Sequence, residues 1–232
     1  MENIFKNNII RLKEVDSTNL EAFRHASTCA VVADCQTAGK GRMGRTFVSE
    51  NNQGLWLSIL ETDILSSELT AWAGVVICKI LRKHGLEAQI KWPNDIQVNG
   101  KKICGILCEM KNQAVVIGIG INLYQEDFKD LNSIATSAKL CNIFIDKEIL
   151  LSEVLDGLNQ MLLDYPSKKE VYLQYFKEKC NTLNQEIAIQ IEGDVKKGIA
   201  KDIDNNFRLI IELSDGSIVT KDSGQCLTLG NP

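Results

Sequence analysis

Two short segments of this chain gather more reactive groups than a connecting loop needs. In Gly39-Lys40-Gly41-Arg42-Met43-Gly44-Arg45, three cations and three glycines share seven residues. Glycine lets backbone N–H groups come close to an anion, and guanidinium forks bind phosphate or carboxylate oxygens in pairs. A solvated flexible turn is the plainer account of such a run. Gly39-x-Gly41-x-x-Gly44 also matches the dinucleotide fingerprint, but that motif needs a helix to begin at the loop. Here the loop leads into the β-prone Thr46-Phe47-Val48-Ser49 and then the turn-forming Glu50-Asn51-Asn52-Gln53-Gly54. A Walker loop is excluded because Lys40 is followed by Gly41, and the V-A-I-K, H-R-D and D-F-G segments of a kinase are missing.

The second segment, Lys91-Trp92-Pro93-Asn94-Asp95, compresses a cation, an aromatic ring, a rigid turn residue, an amide and a carboxylate between two expected strands. Loops of that composition on a rigid sheet often carry function, although a tight Pro-Asn turn with Trp92 in the core explains it as simply. Two further clusters stand downstream. Lys101-Lys102-Ile103-Cys104-Gly105 sets a lysine beside a glycine in a strand-like stretch, where its ammonium either snorkels at the strand end or enters a pocket. Gly118-Ile119-Gly120-Ile121-Asn122 ends a strand on two glycines, which weaken it unless something approaches the backbone closely.

The elements that must position these groups can be read from periodicity. Residues 9–15 read as a strand, and Ser17 and Thr18 open a helix to about Ala26, with Glu21 three after Thr18 at capping-box spacing. Strands are expected at 30–36 and 55–61. Between Ser66 and Gly85, Leu69, Ala73, Val76, Ile77, Ile80 and Leu81 share one helical face. Gln89 to Leu123 reads as an antiparallel meander, with the hairpin signal Asn99-Gly100 at its second junction. Helices are expected at about 147–164 and 168–180. From Gln185 onward, short strands broken by Gly193, Asp204-Asn205-Asn206 and Asp215-Gly216 suggest a small SH3-like β-barrel. The expected fold class is α+β, a mixed and largely antiparallel sheet packed with helices, with domains at 1–183 and 184–232.

Bulk properties narrow the function classes. A net charge of −4 over 232 residues argues against a surface built for nucleic acid or anionic membrane. No stretch approaches the roughly 20 apolar residues that span a bilayer, and the amino terminus is too polar for a signal peptide. The 8 cysteines lack a C-x-x-C pair and only two histidines accompany them, so packing thiols in a reducing cytoplasm are expected rather than zinc.

Taken together, Asp16-Ser17-Thr18-Asn19 and the four clusters resemble, in order and spacing, the catalytic domain of the biotin protein ligases, and the terminal strands suit that family's small C-terminal domain. The resemblance implies a class II synthetase-like domain that uses ATP and Mg²⁺ to activate biotin as biotinyl-adenylate. The biotin would then pass to a lysine of a biotin carboxyl carrier protein, such as that of acetyl-CoA carboxylase. It implies Ser17, Thr18, Asn19, Gln36, Gly39, Lys40, Gly41, Arg42, Lys102 and Gly105 at biotin. Arg42, Arg45, Phe47, Trp92, Asn94, Asp95, Lys102 and Asn122 would face the nucleotide. Lys102, Arg42 and Asp95 are the catalytic candidates, with Asp95 either the base, a Mg²⁺ partner or a nucleotide contact. The family often has arginine at Lys40 and tryptophan at Phe47, and Ser223-Gly224-Gln225 replaces a commoner Ser/Gly-Gly-Glu. A lipoate or octanoate ligase of related fold is the alternative. A first catalytic strand near Ile9 leaves no room for the winged helix of the family's repressors, so no specific DNA partner and no membrane are expected, while a homodimer stays open.

Overall fold

The computed structural model describes residues 3–191, 194–222 and 226–228. A seven-stranded sheet is built from β1 (Ile9–Val15), β2 (Cys29–Gln36), β3 (Gly54–Glu61), β4 (Gln89–Lys91), β5 (Asp95–Val98), β6 (Lys101–Lys111) and β7 (Ala114–Asn122), in the order β1-β2-β3-β7-β6-β5-β4. Only β1 and β2 run parallel; every other neighbour is antiparallel. The two tight hairpins rest on residues that tolerate positive φ: Asn99 and Gly100 at 51° and 75°, and Asn112 and Gln113 at 50° and 59°.

Helices α2 (Leu69–Lys83), α3 (Lys147–Asp164) and α4 (Lys169–Lys179) belong to the main core. The opposite face carries the short α1 (Thr18–Ala22), where Ala22 packs with Cys29, Val31, Leu60 and Val116. Because both faces of the central strands are covered, β3 is buried at every position, and its residues need not alternate in polarity. Trp72 of α2 is fully buried and stacks on Tyr172 of α4 with ring centroids 4.0 Å apart. Truncating such a side chain to alanine costs about 3–5 kcal/mol.

Helix α1 is shorter than the expected run to Ala26, and its capping box does not form. Ser17 rather than Thr18 occupies the N-cap, with no side-chain cap bond, and the hydroxyl of Thr18, now the first helical residue, is turned toward Gln36. A true side-chain cap stands at α3, where Asp146 accepts from the N–H groups of Glu148 and Ile149. The 125–145 segment carries two single 3-10 turns, at Lys129–Leu131 and Lys139–Cys141.

A second sheet comprises β8 (Glu186–Ile191), β9 (Asp194–Ile203), β10 (Leu209–Leu213), β11 (Ile218–Lys221) and β12 (Cys226–Thr228). Its order is β11-β10-β9-β8-β12, antiparallel throughout; among the described residues no pairing joins β11 to β12. It meets the first sheet at Trp92, whose indole N–H donates to the Phe207 carbonyl at 3.1 Å while its backbone N–H donates to Thr182 Oγ1 at 3.0 Å. Among the described residues, no helix is long and apolar enough to cross a membrane.

Candidate active site

The glycines of β6 and β7 make the floor of a cavity. Gly105 pairs with Gly120 and Leu107 with Gly118, so the missing side chains lie together in the sheet. The groups that use the space come from the chain itself. A Cβ at Gly118 would lie 2.1 Å from Asn19 Oδ1, one at Gly120 would lie 2.5 Å from the Phe47 ring, and one at Gly105 would lie 2.9 Å from Lys102 Nζ. Close approach was the expected reason for these glycines, and Asn19, Phe47 and Lys102 supply it.

Phe47 is carried over the sheet by the glycine-basic loop. Residues 39–47 fold back on themselves: Phe47 N–H donates to the Gly39 carbonyl at 2.9 Å and Gly41 N–H to the Arg45 carbonyl at 2.7 Å. Met43 and Gly44 turn the chain at φ of 56° and 73°. The Phe47 ring meets Trp56 edge-on at 5.8 Å.

Polar groups line the wall beneath the loop. Gln36 Oε1 accepts from Thr18 N–H at 2.8 Å and from the Thr18 hydroxyl at 3.0 Å, and Gln36 Nε2 donates to Ser49 Oγ at 2.7 Å. The buried Ser58 hydroxyl reaches both Thr18 Oγ1, at 2.7 Å, and Asn19 Oδ1, at 2.6 Å. Thr18 and Ser58 hold two hydroxyl protons for three oxygen contacts, since Gln36 Oε1 and Asn19 Oδ1 only accept. The wall can therefore present either a donor or an acceptor to a guest.

Cations face that wall. Lys102 Nζ lies 2.8 Å from Asp95 Oδ1 and 5.5 Å from the Phe47 ring centre. Asp95 Oδ1 is buried and has no hydrogen-bond partner beyond that ion pair among the described residues. Arg42 donates to Asn94 Oδ1 at 3.1 Å, and Asn94 in turn donates to the Ile106 carbonyl at 2.8 Å. Burial pushes the Arg42 guanidinium below its ordinary pKa, and the nearby Asp95 charge opposes that shift.

These walls enclose a small cavity, about 50 Å³. Of the expected residues, Ser17, Thr18, Asn19, Gln36, Lys40, Gly41, Arg42, Phe47, Asn94, Lys102 and Gly105 all line it. Others stand apart. Gly39 and the exposed Arg45 line a second recess that shares Lys40, Gly41 and Arg42, and Trp92 lines a neighbouring cavity that shares Arg42 and Asn94. Asn122 is buried, with its Nδ2 donating to the Thr136 carbonyl at 3.0 Å, and so anchors the 125–145 segment. Ser49, Ser58 and Glu109 were not foreseen; each joins the network from a strand or loop position whose neighbours in sequence give no sign of it. Ser223-Gly224-Gln225 lies outside the described residues. Cys104 and Cys108 sit on strand β6, and burial pushes the Cys108 thiol up to about 12. Among the described residues, no three histidine, cysteine, aspartate or glutamate side chains gather as a metal would require.

Comparison with known proteins identifies the family. Residues 11–122 match the model of the biotin/lipoate A/B protein ligase family, and residues 182–227 match that of the biotin protein ligase C-terminal domain. The chain is 42% identical over 149 residues to the bifunctional ligase/repressor BirA of Bacillus subtilis, covering 58% of this chain and 46% of that protein, so it spans about half the length of that relative. It is 26% identical over 225 residues to the biotin–[acetyl-CoA-carboxylase] ligase of Mycobacterium tuberculosis, covering 89% and 84% of the two chains. The biotin protein ligase from Aquifex aeolicus, solved in complex with biotin and ATP, superposes with a TM-score of 0.85 at 28% identity, covering 95% of this chain and 97% of that one. The chain belongs to the biotin/lipoate A/B protein ligase family and carries a biotin protein ligase C-terminal domain after the family's matched segment.

Proposed function

We propose that the protein is an ATP-dependent biotin ligase: it converts biotin to biotinyl-5′-AMP with release of pyrophosphate, then transfers the biotinyl group to a lysine of a biotin carboxyl carrier protein. The observation that carries this reading is one cavity with a neutral, donor-and-acceptor wall at Ser17, Thr18, Asn19 and Gln36 and a cationic wall at Lys40, Arg42 and Lys102. A ureido ring needs the first and a carboxylate meeting a phosphate needs the second. On this reading the catalytic domain would comprise residues 1–183 and the small domain residues 184–232.

Biotin's carboxylate is a poor acyl donor, because an amine would have to expel oxide. Its attack on the α-phosphorus forms a C–O–P linkage as the bond to the pyrophosphate oxygen breaks, which makes AMP the later leaving group. Two anions approach each other in that step. Arg42 and Lys102 neutralise charge as it concentrates, in a site where fixed donors need no reorganisation. Arg45 and Phe47 would border the nucleotide from the loop, with Trp92 and Asn122 holding the surrounding backbone. Mg²⁺ would arrive with the nucleotide's phosphates; a single half-buried carboxylate at Asp95 fits that role better than a resident metal site does.

In the second step the acceptor lysine, with a reference pKa of roughly 10.4, must lose a proton before its nitrogen attacks the acyl carbon and AMP departs with the C–O electron pair. Asp95, held beside the reacting carboxylate by Lys102, is the carboxylate available to orient that amine and accept its proton. The enzyme would work in the cytoplasm, where ATP is supplied.

Biotin-dependent exchange between ATP and labelled pyrophosphate, measured with Mg²⁺ and without any carrier, tests the reading. Exchange indifferent to biotin would overturn it, and exchange driven by lipoate or octanoate instead would move the chain to the other branch of its family.

A further inference from the structure

The two ends of the glycine-basic loop are joined beneath the cavity by one continuous run of polar contacts. At the far end, Ser49 Oγ donates to the Phe47 carbonyl at 3.2 Å and accepts from Gln36. Gln36 meets Thr18, Thr18 meets Ser58, and Ser58 meets Asn19. Asn19 Nδ2 then donates to Glu109 Oε2 at 2.8 Å, and the other oxygen of Glu109 lies 3.9 Å from Lys40 Nζ at the near end of the loop.

Glu109 differs from the rest of this run because an ionised carboxylate only accepts. It fixes the orientation of the Asn19 amide: a flipped amide would set Oδ1 against Glu109 Oε2 and the Leu107 carbonyl, which Nδ2 now approaches at 3.3 Å. With Asn19 Oδ1 thus facing Ser58, the Ser58 proton is drawn to Asn19 and the Thr18 proton is left to turn toward Gln36 or Ser58. Asn19 has no room to evade this, being 4% exposed and packed onto the bare backbone of Gly118. Lys40 is exposed and on a loop, so its attraction to Glu109 is the part of the run that can open and close.

We propose that Glu109 is a positioning residue that ties closure of the 39–47 loop, through Lys40, to the hydrogen-bond polarity of the Thr18-Asn19-Gln36 wall, so that the wall is set for a neutral urea when the loop is down. This rests on the biotin reading and assigns Glu109 no contact with the reacting atoms. A lysine at position 40 is a point charge, which tolerates the 3.9 Å separation where a guanidinium would have to align its fork.

The test uses the full-length protein and pyrophosphate exchange at varied biotin. Glu109→Gln keeps an acceptor for Asn19 but loses the charge that holds Lys40, while Lys40→Met removes the same attraction from an exposed loop position where folding is not at stake. Each should raise the biotin KM roughly tenfold, Glu109→Gln should leave exchange at saturating biotin within about threefold, and the double variant should be no worse than either single, since they remove one coupling. Biotin KM values that stay at the wild-type level in Lys40→Met, or that multiply in the double variant, would overturn the proposal. Loss of biotin dependence in the wild type itself would instead overturn the function reading.

Discussion

Lys102 Nζ stands 2.8 Å from Asp95 Oδ1, and that ion pair joins the start of β6 to the carboxylate that ends the Lys91–Asp95 turn. The ammonium is thus held at the cavity by a buried oxygen that has no other partner among the described residues. Lys102→Met keeps the apolar stem but removes charge from the adenylating transition state; a loss of about 3 kcal/mol slows that step more than a hundredfold. It also strands Asp95, at a stability cost of about 1–3 kcal/mol. Adding Asp95→Asn should restore the melting temperature and leave adenylate formation slow. Single-turnover adenylation beside melting curves separates the two effects; recovery of adenylation in the double variant would remove Lys102 from the chemistry.

Gly120→Ala places a methyl group where the Phe47 ring now lies, 2.5 Å from its nearest carbon. Overpacking of this kind costs about 1–3 kcal/mol. In a Phe47→Ala background the same change should cost less than about 0.5 kcal/mol, because the two side chains compete for one space. Urea melts of the four proteins give the coupling, and equal costs in both backgrounds would show that Phe47 does not rest on the glycines in solution.

Arg42→Gly removes a guanidinium that bonds Asn94 across the cavity, with no core volume lost. Charge-assisted bonds worth about 1.5–3 kcal/mol disappear from the bound intermediate. Biotinyl-adenylate should escape and label lysines of bystander proteins such as albumin, while the melting temperature stays within a few degrees. Retention of the intermediate as tight as in the wild type would contradict a loop that closes over it.

Acid should loosen the packing of α2 on α3. Glu153 is held below the usual carboxylate range, chiefly by the hydrogen bond from Lys83, with His84 adding to it against the opposing effect of burial. A depressed folded pKa contributes stability above the unfolded value of roughly 4.3, and that contribution is lost as pH falls through the folded value. Melting temperatures of wild type and Glu153→Gln should therefore stay apart above the unfolded value of roughly 4.3 and draw together as pH falls below it. Parallel curves across the range would assign the contact no role in stability.

Much of the frame is legible in the chain alone. The strands read at 9–15, 30–36 and 55–61, the helix through Leu69 and Leu81, and the Asn99-Gly100 hairpin announce themselves through periodicity and turn chemistry, which act over a few neighbouring residues. The chemistry-bearing loops are equally visible, because glycine clustered with cations, or proline with amide and carboxylate, is costly to keep without a use. Local preference misleads where a distant partner competes with it. Thr18 has capping-box spacing, yet its hydroxyl turns to Gln36 on the neighbouring strand, and the expected helix end at Ala26 gives way to a stop at Ala22.

The sequence by itself determined which residues could do chemistry and which elements would carry them, since side-chain type and hydrophobic spacing are properties of the local chain. Only the tertiary structure decided how those residues divide the work. It set Phe47 rather than open space over Gly120, turned Asn122 away from the cavity toward the Thr136 carbonyl, and brought Ser58 and Glu109 under a loop to which no motif links them. Those contacts join residues as far apart as Asn19 and Glu109, whose pairing exists only once seven strands have taken their order in the sheet. A hydrogen bond of that reach depends on sheet register and on the side of the sheet each residue faces, and neither is encoded in the few residues around it.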